Sequence, residues 1–356
     1  MLTTINPQEY DLCIAIDTSK KSYSVTSMNH EKHYQSCKMS TNPQNLIHYA
    51  QKRFSTKRPL FVYEAGPGGY SLHDKLTGSG FSCMIVNPAS VAKAPKERVK
   101  TNRLDSIKLA EQSLSGQLQS IRIPNMDYRQ LRHLATTRQQ YAQDIRKAKQ
   151  RIKALILFEN LFVPEEINTL KHWSCRYRQG ILQINCPNET VKFRLKTLME
   201  DLEHSQNRLL LVHRQLREFY KDHPELHKNV QFLRSLPGFG FVVSMYLLSR
   251  VCDPSRLHHV RELGAFAGLV SSEYSTGENH NRGGITHMGD RTLRTLLIEA
   301  AWIAIRKDPE LHRFYYRIKA KHTPKAAANK AIVAVARKLT MRVYRVLKDQ
   351  RPYEIR

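Results

Sequence analysis

The sequence predicts an α/β plus α protein: a mixed-sheet domain first, then helical structure over the remaining two thirds. Short apolar runs separated by turn residues fill positions 11–87. Near position 128 a spacing of threes and fours replaces them, and helical periodicity recurs to the C-terminus.

Residues 11–17, DLCIAID, read as a buried strand ending in an acid, and 22–28, SYSVTSM, alternate in the manner of a half-buried strand. A third short run near 32–38 completes an antiparallel meander. A helix over 43–55 leads into a second buried strand, LFVYE at 60–64. The segment GPGGY then breaks the chain, 70–78 is helical and 82–87 forms another strand. Residues 103–116 form a helix with Leu104, Ile107, Ala110 and Leu114 on one side. Three consecutive strands followed by strand–helix alternation imply a mixed sheet rather than a doubly wound one.

From Tyr128 to Leu157 the apolar positions Leu131, Leu134, Tyr141, Ile145, Ala148, Ile152 and Leu155 mark a long amphipathic helix. A partner covers 190–220. Two such helices predict an antiparallel hairpin or a coiled-coil oligomerisation arm. The connection between them, containing Pro164, Trp173 and Pro187, shows no clear pattern. In LRSLPGFGFVVSMYLLSRV, at 233–251, the turn LPGFG resembles a helix–hairpin–helix turn, whose backbone N–H groups bind DNA phosphate; it serves equally as an ordinary connection. Further helices are expected at 259–267, 290–307 and 325–348. The expected domains are 1–122, 123–230 and 231–356.

Charge narrows the function. Against 31 Asp and Glu stand 57 Lys and Arg, a net charge of +26. Counting by segment gives +7 for 1–122, +7 for 123–230 and +12 for 231–356, so the excess is not a basic tail. A folded protein this positive repels itself unless a polyanion such as nucleic acid relieves it. No apolar run approaches the roughly 18 residues a membrane span needs, and MLTTINPQEY lacks the regions of a signal peptide, so a cytoplasmic protein is expected. The six cysteines show no C-x-x-C spacing, which argues for reduced thiols rather than disulfides or structural zinc.

Three acids stand out. Asp17 and Glu64 each end a buried strand, where a polar side chain is costly unless paired or bound to a cation. Should the strands be neighbours, their carboxylates need positive charge between them. Asp105 opens the later helix and can lean over the same edge. Such oxygens suit one or two Mg²⁺ (or Mn²⁺) ions. Singly, each acid is as well explained by a turn, a surface position or a helix start; together, in so basic a chain, they favour a metal site.

A second group lies in YSTGENHNRGGITHMGDRTLR. Ser275 precedes Thr276 and Gly277 in a polar loop that feeds a helix beginning near Asp290. A serine hydroxyl attacks a phosphodiester only when it is positioned and deprotonated and the phosphate charge is neutralised, for which Arg282, Arg291 and Arg294 are at hand. From the residues alone, Ser275 reads first as a turn cap. The last helix carries an apolar face (Ile332, Val335, Leu339, Val343) and a basic one (Lys330, Arg337, Lys338, Arg345) that is either solvated or set against phosphate. Tyr315 and Tyr316 read as packing residues rather than a base-stacking platform.

The strings AIDTSKKSYSV, VYEAGPGGYSLHDKL and ERVKTNRLDSIKLA resemble the N-terminal domain of DEDD insertion-sequence transposases, relatives of the Piv-type DNA invertases. That domain is similar to the Holliday-junction resolvase RuvC, which implies an RNase H fold. SLPGFGFVVSMYLL and the stretch LGAFAGLVSSEYSTGENHNRGGITHMGDRTLRTLLIEAAW are similar to the second domain of the same family. The resemblance covers nearly the whole chain in order. It implies that Asp17, Glu64 and Asp105 occupy three of four acidic positions, and that the fourth is Asn102, a neutral and weaker ligand. Lys100 and Arg103 flank this block as expected nucleic-acid contacts. By the same resemblance Ser275, with Thr276 as its alternative, is a catalytic nucleophile. Implied partners are element-end and target DNA, a structured guide RNA and further copies of the chain in a dimer or tetramer. Two other readings stay open: a RuvC-like junction-resolving nuclease that uses water, and a non-catalytic nucleic-acid-binding protein, which Asn102 favours.

Overall fold

The computed structural model describes residues 5–66, 68–92, 101–274, 276, 282–286 and 288–355. The chain divides into two compact units, Met1–Ile123 and Pro124–Arg356.

The first unit is built on a five-stranded mixed sheet. Strands β1 (Leu12–Thr18), β2 (Ser22–Asn29) and β3 (Tyr34–Ser40) form the antiparallel meander, followed by helix α1 (Pro43–Arg53), β4 (Pro59–Glu64), α2 (Ser71–Gly78), β5 (Ser82–Val86) and α3 (Asn102–Leu114). The order across the sheet is β3-β2-β1-β4-β5, with β1, β4 and β5 parallel. This arrangement is consistent with an RNase H-like domain. Both faces are covered, which is why the central strands read as unbroken apolar runs. Ile14, Ile16, Phe61 and Tyr63 pack towards α1 and α2 through Leu46, Ile47, Leu72 and Leu76. On the other face the small side chains of Cys13 and Ala15 allow Leu109 and Ala110 of α3 to come close. The third strand begins at Tyr34 rather than 32, because Lys32 takes a left-handed turn conformation (φ 63°) between β2 and β3.

The second unit begins with α4 (Met126–Phe158). The connection that follows contains α5 (Glu165–Asn168) and α6 (Cys175–Leu182) and leads to α7 (Glu189–Asp222). Helices α4 and α7 pack antiparallel. Ile152 and Leu155 near the end of α4 meet Leu195 and Met199 near the start of α7, with Tyr177 and Ile181 of α6 closing that small core. At the opposite end, Leu131, Ala135 and Leu216 join a larger core. Pro224, unable to continue the α7 hydrogen-bond ladder, starts α8 (Pro224–Arg234). After it come α9 (Phe241–Val251), α10 (Glu262–Phe266), a two-stranded antiparallel hairpin of β6 (Ser271–Glu273) and β7 (Arg282–Ile285), then α11 (Arg291–Lys307), α12 (Pro309–Lys319) and α13 (Pro324–Asp349).

The LPGFG turn joins α8 to α9. Gly238 adopts φ +86°, and a Cβ there would lie 2.2 Å from the Ala300 carbonyl oxygen, so the glycine lets this turn seat directly on α11. Helix α12 was hidden in the sequence by Asp308, which interrupts one apolar pattern and caps the next: its carboxylate, 1 % exposed, accepts the Leu311 N–H at 3.0 Å. The same carboxylate pairs with Arg342 of α13 at 2.6 Å and accepts the Tyr353 hydroxyl at 2.8 Å. All six cysteines are free thiols. Among the described residues no helix is long and apolar enough to cross a membrane.

Candidate active site

The parallel register of β1 and β4 pairs Ile16 with Tyr63, and Asp17 and Glu64 each follow by one residue. Strand alternation sets both carboxylates on the face shared by Ala15 and Val62, the side covered by α3. Across the ladders Asp17 stands opposite Ser24 of β2, and Glu64 opposite Val86 of β5. Both acids are half-buried. Two carboxylates at neighbouring strand ends repel in a partly dry setting, and their hard oxygens suit a divalent cation shared between them. Asp105 lies in the first turn of α3, four residues before the buried Leu109 and thus on the same side of the helix, and is itself half-buried. Asn102 and Arg103 begin that helix, both exposed. Among the described residues no three His, Cys, Asp or Glu side chains close into a ready metal cage. The acids are therefore arranged around one end of the sheet, with Asp17 and Glu64 as the adjacent pair. Lys100 lies outside the described residues.

The first turn of α3 is pinned by hydroxyls that the sequence reading passed over. Thr26 of β2, fully buried, pairs its hydroxyl with that of Ser106 (2.8 Å) and with that of Ser36 on β3 (2.9 Å). Ser106, also fully buried, hydrogen-bonds the Arg103 carbonyl at 2.8 Å. The available signal was Thr26 at a strand position matching Ala15, where an apolar residue is the norm. Because Ser106 is next to Asp105, this chain of hydroxyls sets where Asp105 stands over the sheet. Thr26→Val is expected to cost about 1 kcal/mol in denaturant unfolding, the usual worth of a hydrogen bond. With Asp105 as a cation ligand, the variant should also raise the divalent-ion concentration needed for half-maximal activity. A stability loss with an unmoved metal titration would mean that the contact is structural only.

The serine group stands on the second unit. The expected polar loop is in part a hairpin: Ser271 pairs with Ile285 and Glu273 with Arg282, across a register shift. The connection between these strands carries Ser275, which lies outside the described residues, as do 277–281; Arg282 is described as the first residue of β7. The base of the hairpin is firmly tied. Thr286 N–H donates to the Val270 carbonyl (3.0 Å) and Asp290 N–H to that of Phe266 (3.2 Å). Gly268, at φ +66°, brings its Cα so near the Met288 carbonyl that a Cβ would sit 1.8 Å from the oxygen. Asp290 caps α11 by accepting the Leu293 N–H at 2.9 Å. It also takes the Tyr246 hydroxyl at 3.2 Å and pairs with Arg250 at 3.0 Å.

The arginines divide by location. Arg291 starts α11 and is exposed, free to meet a phosphate at a helix N-terminal end. Arg294 is 8 % exposed and donates to the carbonyl oxygens of Ala267 and Met288, both at 3.3 Å. Its guanidinium thus braces the two chain segments at the hairpin base.

Two family models match this chain. One, a transposase model of the DEDD IS110 type, covers residues 14–159, including every acid of the sheet edge. The other, described as transposase IS116/IS110/IS902 family, covers 230–316, including the serine hairpin. A transposase homologue of Sinorhizobium fredii, y4qE, is 31% identical over 242 residues, which is 68% of this chain and 57% of that protein. The match therefore spans little more than half of that relative's length. The transposase for insertion sequence element IS1533 of Leptospira borgpetersenii is 22% identical, with 82% of this chain and 81% of that protein aligned. The pilin gene-inverting protein of Moraxella lacunata is 23% identical over 96% of this chain and 98% of its own. In that order along the chain, the protein therefore carries a DEDD transposase domain and a C-terminal transposase domain, both of the IS110 type.

Proposed function

We propose that the protein cuts and rejoins DNA by phosphoryl transfer, using the sheet-edge carboxylates together with Ser275. The observation that carries this reading is the placing of Asp17 and Glu64 on one face at neighbouring parallel strand ends, beneath the helix that bears Asp105. Asp17, Glu64 and Asp105 would hold a divalent cation, with the Asn102 side-chain oxygen as a neutral fourth donor. Mg²⁺ or Mn²⁺ bound there supplies positive charge that activates an oxygen nucleophile and stabilises a departing one. The Ser275 oxygen bonds to phosphorus as one P–O bond of the DNA strand breaks, and the serine proton ends on the released DNA hydroxyl. The covalent link conserves the bond energy for rejoining. Arg282 and Arg291 neutralise phosphate charge, Arg294 keeps the hairpin base in place, and Lys100 and Arg103 contact the backbone near the acids. Strand exchange between two duplexes needs several active sites, which calls for a dimer or tetramer, assembled through the helices of 128–220 as a coiled-coil arm. The net charge of +26 is compatible with holding a structured guide RNA beside the DNA. The LPGFG turn adds a phosphate contact of the helix–hairpin–helix kind.

The test is covalent trapping. Purified protein is incubated with its element-end DNA, the flanking transcript and Mg²⁺, then denatured. A DNA–protein adduct is expected, lost in both Ser275→Ala and Asp17→Ala. Nicked DNA without an adduct, insensitive to Ser275→Ala, would replace this reading with a nuclease that uses water; tight binding without breakage would leave a non-catalytic nucleic-acid-binding protein.

A further inference from the structure

Large apolar side chains exposed singly on a protein surface are ordinary, whereas a contiguous group of them marks a contact surface. The outer side of α11 and α12 presents a continuous row of rings. Trp302 lies 5.9 Å from Tyr315, Tyr315 lies 5.2 Å from Tyr316, and Tyr316 lies 4.7 Å from His312, all between ring centroids. Tyr315 is the buried member at 5 % exposure, which matches the packing role its sequence context suggests. Tyr316 departs from that expectation: it is 52 % exposed, and Trp302 is 37 % exposed. The core ring thus props up two rings whose faces and edges reach solvent.

The electrostatic setting is one-sided. The Lys319 ammonium sits 5.8 Å from the Tyr316 centroid. Arg313, three residues before Tyr316, and Arg306, four after Trp302, are exposed neighbours on the same helix surfaces. The acid at the start of α12, Glu310, is already paired with Lys338 and Arg342 of α13. Glu299, three residues before Trp302 and exposed, is the nearest acid along α11.

Exposed rings interleaved with cations are what unpaired nucleotides need: a flat surface for each base and a positive charge for each phosphate. A duplex keeps its bases stacked inside and engages only the charges. We infer that the Trp302–Tyr316 row is a stacking platform for single-stranded DNA, the strand that breakage and exchange leave unpaired. The platform does not depend on the carboxylate chemistry, so it can stand or fall separately.

The experiment measures anisotropy of fluorescent oligo(dT), and of a duplex of equal length, at one fixed salt concentration, because phosphate contacts vary with salt. Tyr316→Ala, at a half-exposed position that the fold tolerates, is expected to weaken oligo(dT) binding about tenfold or more, the scale of one lost stacking contact. The duplex should change little, and Tyr316→Phe should keep wild-type affinity. In a Trp173→Phe background, the remaining indole of Trp302 should be quenched on titration with oligo(dT). Unchanged binding, equal losses for strand and duplex, or an unquenched Trp302 would overturn the platform. Tighter binding of oligo(U) with the same sensitivity to Tyr316→Ala would overturn the choice of DNA in favour of RNA.

Discussion

Replacing either carboxylate of the sheet-edge pair with its amide, Asp17→Asn or Glu64→Gln, is expected to lower strand breakage by roughly a thousandfold or more, as removal of a member of a cooperating catalytic set does. The fold should survive, because both side chains are half-buried at strand ends rather than in the core. Cleavage of element-end DNA in the presence of Mg²⁺ reads the activity, and a thermal melt followed by circular dichroism reads the fold. The opposite substitution sharpens the point. Asn102→Asp places a further acid in the first turn of α3 and should shift the Mg²⁺ titration to lower concentration, since an added carboxylate strengthens attraction for a hard cation. Normal cleavage by Glu64→Gln would remove the sheet edge from the chemistry altogether.

The second large effect concerns stability. Arg342→Leu is expected to cost about 3–5 kcal/mol in denaturant unfolding, because it strands the buried Asp308 carboxylate. Burial by itself would raise the Asp308 carboxyl. The Leu311 N–H, the Tyr353 hydroxyl and the Arg342 guanidinium together outweigh burial and hold it below its ordinary value. An acid whose pKa is lowered on folding contributes stability above its unfolded value, and that contribution disappears as pH falls through the folded one. The wild-type contribution should therefore be complete at neutral pH and fade only below about pH 4. In Arg342→Leu the guanidinium's hydrogen bond and charge are lost, and the carboxyl moves up from its wild-type value. The gap between variant and wild type should then narrow as pH falls towards about 4, where protonation removes the stranded charge. The double variant Asp308→Asn with Arg342→Leu retains an N-cap for α12 without a buried charge and should recover much of the loss. Failure of the double variant to improve on the single one would show that the cost arises from packing.

Much of the architecture follows from local sequence. The alternation in SYSVTSM, the unbroken apolar runs around Ile14 and Val62 and the three-and-four spacing of Leu131 to Leu155 each report which faces of an element are buried. Burial periodicity is a property of the chain itself. The acids were visible for the same reason: a carboxylate at the end of an apolar run is out of place unless something holds it. Elements whose cores are supplied from elsewhere were harder to see. The four-residue α5 has no face of its own, and the short β6 and β7 carry no apolar alternation.

Some features exist only in three dimensions. That Asp17 and Glu64 are neighbours depends on β1 pairing with β4 across an intervening hairpin and helix, a long-range choice that no window of sequence records. Thr26, Ser36 and Ser106 are ordinary polar residues until the register of β2 and the seat of α3 bring their hydroxyls within bonding distance. Arg294 looked like a phosphate ligand by its position in the motif, and packing instead turned its guanidinium onto two backbone carbonyls. Tyr315 and Tyr316 are adjacent in sequence and alike in chemistry, and helix geometry sends one inward and the other to solvent. The sequence by itself determined which segments become strands and helices and which residue types could do chemistry, because hydrophobic periodicity and charge are local quantities. Which of those residues meet, and which are spent holding the chain in place, was decided by tertiary packing, because proximity between distant segments arises only when a shared core is formed.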